Sequence, residues 1–394
     1  MKKVALVLDG LGIGGIERVA ADYSKIFNNL GYEVTVINLV PEQVEMKPQF
    51  SIKSKFINFS FSRKEAPEQY AQFVKRYWWG RYLYPVIFTI LQIWIVLKKI
   101  FFKLKYRLGK YDIVISFASH FNDLTFVANN FVKADKKLSW LHGALYGYAL
   151  ISDGYLNLYN KIHNLVVLVD DAQKETLTYN KQLDLNINKL YNPTYFTNDN
   201  VSKEKIKELR SKYGNYLLMV ARFSYPHKDH YTVIKAFSKI VKTVGDINLV
   251  LVGDGPEMEK VRKYTSNFGK EVSEKVYFIG AINDVKAYYA AAKILVHASV
   301  AGEGLPTVIL EALSQSIPVV STDSKVGPRE ILGNNEYGLL SGVEDPDDMA
   351  KKVISLLSNS EEYNKYVVAG SERIKAFHPK VIENKLKNIL ETID

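Results

Sequence analysis

Two glutamates, Glu303 and Glu311, stand eight positions apart in the run His297-Ala-Ser-Val-Ala-Gly-Glu-Gly-Leu-Pro-Thr-Val-Ile-Leu-Glu. The run begins as an apolar strand, crosses a Gly-bearing loop and enters a helix at Pro306, where the missing N–H of proline costs nothing. The first-turn N–H groups around Leu305 to Thr307 form an anion site. A loop acid, a helix start and a helix acid can together hold a phosphate and two sets of sugar hydroxyls. The plain alternative is two solvated surface charges, the usual fate of Glu. Upstream, Arg222 and Lys228 follow another apolar strand, Tyr216-Leu-Leu-Met-Val-Ala. Two cations at one strand end suit a diphosphate, Arg as a planar fork and Lys as a point charge. His142 follows the strand Leu138-Ser-Trp-Leu. In open α/β sheets that is the ligand-facing end.

These residues need strands to carry them, and the chain is built of such strands. Val4 to Leu8 is wholly apolar, as in a parallel strand covered on both faces. Gly10, Gly12 and Gly15 follow, then an amphipathic helix over 16–27 and a second strand over 33–40. The glycines fit G-x-G-x-x-G, but the ribose-binding acid of a dinucleotide site is replaced by Ile37-Asn38-Leu39. A nicotinamide-dependent oxidoreductase is disfavoured on that ground. Further strands are expected at 111–118, 138–143, 164–169 and 189–193, and in the second half at 216–221, 248–253, 275–280, 293–297, 317–321 and 338–340. Surface loops are expected at 243–245 and 265–273. Helices follow at 346–358 and 361–375, and a last amphipathic helix over 380–394 comes after Pro379. The reading is α/β, with two doubly wound Rossmann-like domains, 1–194 and 195–375, and a terminal segment, 376–394.

The chain has 394 residues, no Cys, and a formal net charge of +10. Disulfides and thiolate metal sites are excluded. Residues 1–190 carry 25 Lys and Arg against 16 Asp and Glu, so that half holds nearly all the excess charge. An anionic partner is implied. The opening Met-Lys-Lys-Val-Ala-Leu-Val-Leu is cut short by Asp9 and reads as a first strand, with no export signal. From Lys75 to Lys110 there are nine Lys or Arg and no acid, around an apolar stretch from Tyr82 to Leu97. Sixteen residues fall short of the ~20 of a membrane span. The segment reads either as a core helix or as a monotopic surface for anionic headgroups. Nucleic acid is disfavoured, because these cations surround an apolar helix and no binding motif appears.

Four segments together resemble the GT-B glycosyltransferases of family GT4, retaining enzymes that use nucleotide-sugar donors. They are Gly14-Gly-Ile-Glu-Arg-Val19, His142-Gly143, Ala221-Arg-Phe-Ser-Tyr-Pro-His-Lys228, and Glu303-Gly-Leu-Pro-Thr-Val-Ile-Leu-Glu311, which has the family's E-x7-E spacing. Gly327-Pro-Arg-Glu-Ile-Leu332 fits the turn that follows in relatives building surface polysaccharides. The resemblance implies two domains facing a central cleft. It implies that Gly14 and Gly15 approach the donor and that His142 lies by the transferred sugar. Arg222 and Lys228 would neutralise the leaving diphosphate. Glu303 would contact the sugar and Glu311 the ribose, while Gly304, Leu305, Pro306 and Thr307 start the phosphate-facing helix. Ile282 would lie by the base, and the last helix would cross back to the N-terminal domain. Implied too are a UDP-sugar donor, no metal or other cofactor, and transfer of a hexose or N-acetylhexosamine to a lipid-linked or cell-surface glycan. Lipopolysaccharide core and teichoic-acid-like polymers are the alternative acceptors. The place of action would be cytoplasmic, peripheral on the inner face of the plasma membrane.

Overall fold

Short apolar runs alternate with amphipathic helices along the chain, and in the computed structural model each run becomes a strand of a parallel sheet. The structure describes all residues except 144–153, 171–173, 175–184, 196–200, 283, 301–302, 326 and 394. Two compact units emerge. The first joins Met1–Pro193 to Pro379–Asp394, and the second is Thr194–His378.

The first unit holds β1 (Lys2–Leu8), β2 (Tyr32–Asn38), β3 (Lys55–Asn58), β4 (Tyr111–Ser116), β5 (Ala134–Leu141), β6 (Asn164–Val167) and β7 (Asn186–Lys189). Their order among the described residues is β3-β2-β1-β4-β5-β6-β7. Every pairing is parallel. The second unit holds β8 (Tyr216–Val220), β9 (Asn248–Val252), β10 (Val276–Gly280), β11 (Ile294–His297), β12 (Val319–Thr322) and β13 (Leu339–Ser341). They lie in the order β10-β9-β8-β11-β12-β13, again all parallel. Both sheets are doubly wound, and each reverses its winding between the first and fourth strands of its unit. Ligands of such sheets bind beyond the carboxyl ends of those two strands.

The helices that concern the sites are α1 (Gly15–Asn29), α2 (Gly80–Tyr106), α3 (Phe121–Ala128), α4 (His230–Val244), α5 (Thr307–Ser314), α6 (Gly327–Leu332) and α7 (Pro379–Thr392). In the first core, Tyr23 of α1 packs against Trp140 of β5 with ring centroids 4.4 Å apart. In the second, Val233 and Phe237 of α4 pack with Met219 and Leu251 of the sheet, all buried. Burial of such side chains stabilises by about 1.5–3 kcal/mol each. Helix α7 belongs to the first unit. Asn29 donates to Glu383 at 3.3 Å, and Lys136 donates to the carbonyl of Leu390 at 3.4 Å.

Four expectations need correction. The basic, apolar segment forms one continuous 27-residue helix, α2, longer than its uninterrupted apolar run suggested. It is also not a core helix, because only 11% of its most apolar stretch is buried. Strand β7 ends at Lys189, where residues 189–193 were expected to form it. Its paired residues, Asn-Ile-Asn-Lys, are polar because they lie at the sheet edge, while Leu190 to Pro193 continue out of the sheet. The loop expected at 243–245 is the end of α4, closed by Gly245 at φ +78°. The loop expected at 265–273 contains a short helix, Lys270–Ser273, pinned by buried Val272.

Candidate active site

In the second unit the winding reverses between β8 and β11, and two of the charged residues singled out by sequence, Lys228 and Glu303, meet at that point. The Lys228 ammonium contacts the Glu303 carboxylate, with side chains 19% and 14% exposed. His297, the last residue of β11, is buried, and its Nε2 lies 3.6 Å from the same carboxylate oxygen. Among the described residues neither ring nitrogen of His297 has a hydrogen-bond partner. Burial alone would raise the carboxyl of Glu303. The His297 contact and the Lys228 charge outweigh it and hold the group at about 2. Burial and the Lys228 charge push His297 down, so the ring is neutral at neutral pH. The arrangement is an anion held between one cation and one neutral imidazole.

The turn that presents Lys228 is fastened to both neighbouring strands. Asp229 accepts from Thr232 N at 3.0 Å, capping α4, and its own N–H donates to Ala298 at 2.9 Å. Val300 N donates to Pro226 at 3.0 Å. On the other side Phe223 N donates to Asp254 at 3.0 Å. Gly253 has φ +139°, and a Cβ there would lie 2.0 Å from the carbonyl oxygen of Ala221. No side chain fits without displacing the backbone that carries Arg222. Gly253→Ala is therefore expected to destabilise by more than about 1 kcal/mol, read from urea unfolding.

The rest of the Glu303–Glu311 run is equally tied down. Glu303 N donates to Lys325 O at 2.6 Å. Pro306 is the cap residue of α5, extended at φ −66° and ψ 108°, with its carbonyl accepting from Ile309 N at 3.1 Å. The helix thus starts at Thr307, one residue later than expected, and Thr307 is half-buried. Gly327, opening α6, sits so close to Gly304 and Pro306 that a Cβ would lie 2.0 Å from the Gly304 carbonyl oxygen. Leu305 is buried. Glu311 is also buried, and the Tyr289 hydroxyl donates to its carboxylate at 2.8 Å. Neither glutamate is therefore a solvated surface charge. They have different partners, however, Lys228 for Glu303 and Tyr289 for Glu311. Arg222 is exposed at the end of β8, and Ile282 is half-buried just past β10.

The first unit reverses its winding between β1 and β4, and there a second charged group stands. Asp9, directly after β1, accepts from Arg63 Nε at 2.6 Å and lies 3.0 Å from His120 Nδ1. Asn122 also donates to it. Burial would raise Asp9, but these partners hold it below the usual carboxylate range. Nearby Glu17, in the first turn of α1, is raised by burial. Asp123 caps α3, accepting from Ser116 Oγ at 2.6 Å, Ala118 N at 3.0 Å, Ser119 N at 2.9 Å and His120 N at 2.7 Å. Burial still pushes it up to about 6. His142 follows β5, half-buried, with Nε2 2.6 Å from the Phe117 carbonyl. That carbonyl can only accept, so Nε2 carries the proton and Nδ1 is an acceptor. Burial pushes the ring down to about 4, and it is neutral. Gly14 caps α1 in extended backbone, and Gly15 opens the helix with free space at its Cα. Asn38, at the place of the missing ribose acid, is buried; it donates to Gln43 O at 3.0 Å and accepts from Val40 N at 3.1 Å. Its side chain is committed to turning the chain.

Sequence reading passed over Asp9, Arg63, His120, Asn122 and His297. Asp9 and His297 carried a usable signal, since each is a polar residue closing an apolar strand. Arg63 and His120 carried none, because 54 and 111 positions separate them from Asp9.

Comparison with known proteins supports the second unit most directly. Residues 201–373 match the family described as Glycosyl transferases group 1. An N-acetylgalactosamine-N,N'-diacetylbacillosaminyl-diphospho-undecaprenol 4-alpha-N-acetylgalactosaminyltransferase of Campylobacter jejuni is 30% identical over 193 residues, 49% of this chain and 51% of that protein. A phosphatidyl-myo-inositol mannosyltransferase of Mycobacterium leprae is 26% identical over 182 residues, 46% of this chain and 47% of that protein. The chain thus spans about half the length of the curated relatives it matches. Among solved structures, Anabaena Alr3699/HepE in complex with UDP and glucose superposes over 100% of both chains with TM-score 0.75 at 18% identity. At that identity the likeness concerns the fold. Residues 201–373 are thus similar to the group 1 glycosyl transferases, within a chain that has the GT-B fold of two parallel-sheet α/β units.

Proposed function

We propose that the chain is a retaining, metal-independent glycosyltransferase. It moves a hexose or N-acetylhexosamine from a UDP-sugar to a lipid-linked or cell-surface glycan. The observation that carries this reading is the Lys228–Glu303–His297 group at the reversal of the second sheet, beside the start of α5. It supplies a cation and backbone donors for a diphosphate and a fixed carboxylate for sugar hydroxyls. In the transfer, the bond from the anomeric carbon to the diphosphate breaks and the acceptor oxygen bonds to that carbon. The acceptor's proton passes to the departing phosphate. Lys228, Arg222 and the N–H groups from Leu305 to Thr307 stabilise the growing charge on that phosphate. Glu303 orients the sugar, Glu311 holds ribose hydroxyls and Ile282 lies by the base. Gly14 and Gly15 allow close approach in the first unit, and the Nδ1 lone pair of His142 accepts from a sugar hydroxyl. The relatives named for lipid-linked and phosphatidylinositol substrates, and the UDP in the Anabaena complex, support the substrate classes. This reading places the chain in the cytoplasm, peripheral on the inner face of the plasma membrane.

Thermal unfolding tests the donor half. UDP at a hundredfold excess over its Kd is expected to add about 2.7 kcal/mol of stability, with NAD giving no shift. A shift with NAD and none with uridine, guanosine or adenosine diphosphates would overturn the reading. A screen of UDP-, GDP- and ADP-sugars for donor hydrolysis then identifies the sugar.

A further inference from the structure

Helix α2 leaves an apolar stripe uncovered. Leu83, Val86, Ile90, Ile93, Leu97 and Leu104 are each 43–67% exposed. They recur at the three- and four-residue spacing that keeps side chains on one helical face. At 1.5 Å per residue the helix is about 40 Å long, and the stripe from Leu83 to Leu104 spans about 32 Å of it. The opposite face is bound to the first unit from end to end. Gly80 is buried so closely that a Cβ would lie 1.8 Å from the Phe73 carbonyl oxygen. Midway, Lys98 donates to Ser60 O at 3.0 Å, and Trp94, 43% exposed at the edge of the stripe, donates to Glu65 at 2.6 Å. Farther on, buried Phe102 stacks edge-on against Phe59 with centroids 4.9 Å apart. A helix anchored along its length to a folded unit cannot pass through a bilayer, although it is long and apolar enough to do so.

We infer that α2 lies in the plane of an anionic lipid surface, with its stripe inserted between headgroups and acyl chains and the first unit resting above it. Charge selects this occupant over a second copy of the chain. Lys99, Lys103, Lys105 and Arg107 cluster at the carboxyl end of the helix, and no acid occurs between Lys75 and Lys110. A second copy would add its own formal net charge of +10, whereas anionic headgroups neutralise these cations. The inference stands on exposure and charge and does not depend on the transfer reaction.

Cosedimentation of the full chain with vesicles tests it. The chain is expected to pellet with phosphatidylcholine vesicles containing phosphatidylglycerol, and weakly with phosphatidylcholine alone. Trp94 emission should shift to the blue and be quenched by lipids brominated near the headgroup. The triple variant Ile90→Glu, Ile93→Glu, Leu97→Glu should stay in the supernatant while keeping its circular dichroism and its response to UDP. Lys105→Glu, a milder change, should weaken partition by at least about fivefold. The inference falls if the wild type ignores both vesicles, if it instead dimerises through the stripe, or if quenching is strongest at the bilayer centre. Vesicle binding without any response to UDP would leave this inference standing and sink the proposed reaction.

Discussion

Lys228→Ala is expected to lower kcat/KM for a UDP-sugar by about 10²–10³-fold, the usual loss when one preorganised group facing transition-state charge is removed. The size of the effect follows from where Lys228 sits. Its ammonium faces a largely buried carboxylate, Glu303. In the proposed reaction, removing the cation takes a positive charge away from the departing diphosphate and leaves the Glu303 anion unbalanced beside it. Both changes disfavour a doubly charged leaving group. Lys228→Arg keeps the charge and should recover part of the rate. Steady-state kinetics on protein whose melting has been checked decides the matter. Full activity of a folded Lys228→Ala protein would remove this residue from the mechanism.

Glu303→Gln is expected to change the acid limb of the stability curve. In the folded protein the Glu303 carboxyl lies at about 2, against an ordinary value of 4.5. A folded-state value below the unfolded one means that the unfolded chain binds the proton more readily. The stabilisation is therefore complete above about pH 4.5 and is lost as pH falls toward about 2. A shift of that size corresponds to about 3 kcal/mol. Unfolding by urea should show the variant less stable than wild type by up to that amount at neutral pH, with the gap closing in acid. A gap independent of pH would mean that the carboxylate is not held by its neighbours.

The parts of the molecule that sequence revealed are those with a local signature. Apolar runs marked β1, β8, β9 and β11, and Pro306 marked the start of α5 to within one residue. Glu303 and Lys228 were legible because each follows an apolar strand. The partnership between them was not, since 75 positions separate them and β8 meets β11 only by a crossover. The Asp9–Arg63–His120 group stayed hidden for the same reason. Helix α2 was misjudged for a different one. Lys98 and Lys99 interrupt the apolar count, yet Lys98 turns inward to Ser60 and Glu65 and the helix continues past it. The charge that seemed to end the segment is a fastening in its middle.

The assignment of Pro379–Asp394 to the first unit has a bearing on how the chain is made. Residues 194–378 form one uninterrupted stretch and can close their sheet as soon as they leave the ribosome. The first unit, though synthesised earlier, lacks the partners of Asn29 and Lys136 until the last segment emerges. At 5–20 residues per second, the ~185 intervening residues impose a wait of roughly 10–40 s. During that interval the nascent N-terminal unit presents the seat of α7 open to water, and with it a site for chaperones or proteases. The order of completion is thus the reverse of the order of translation.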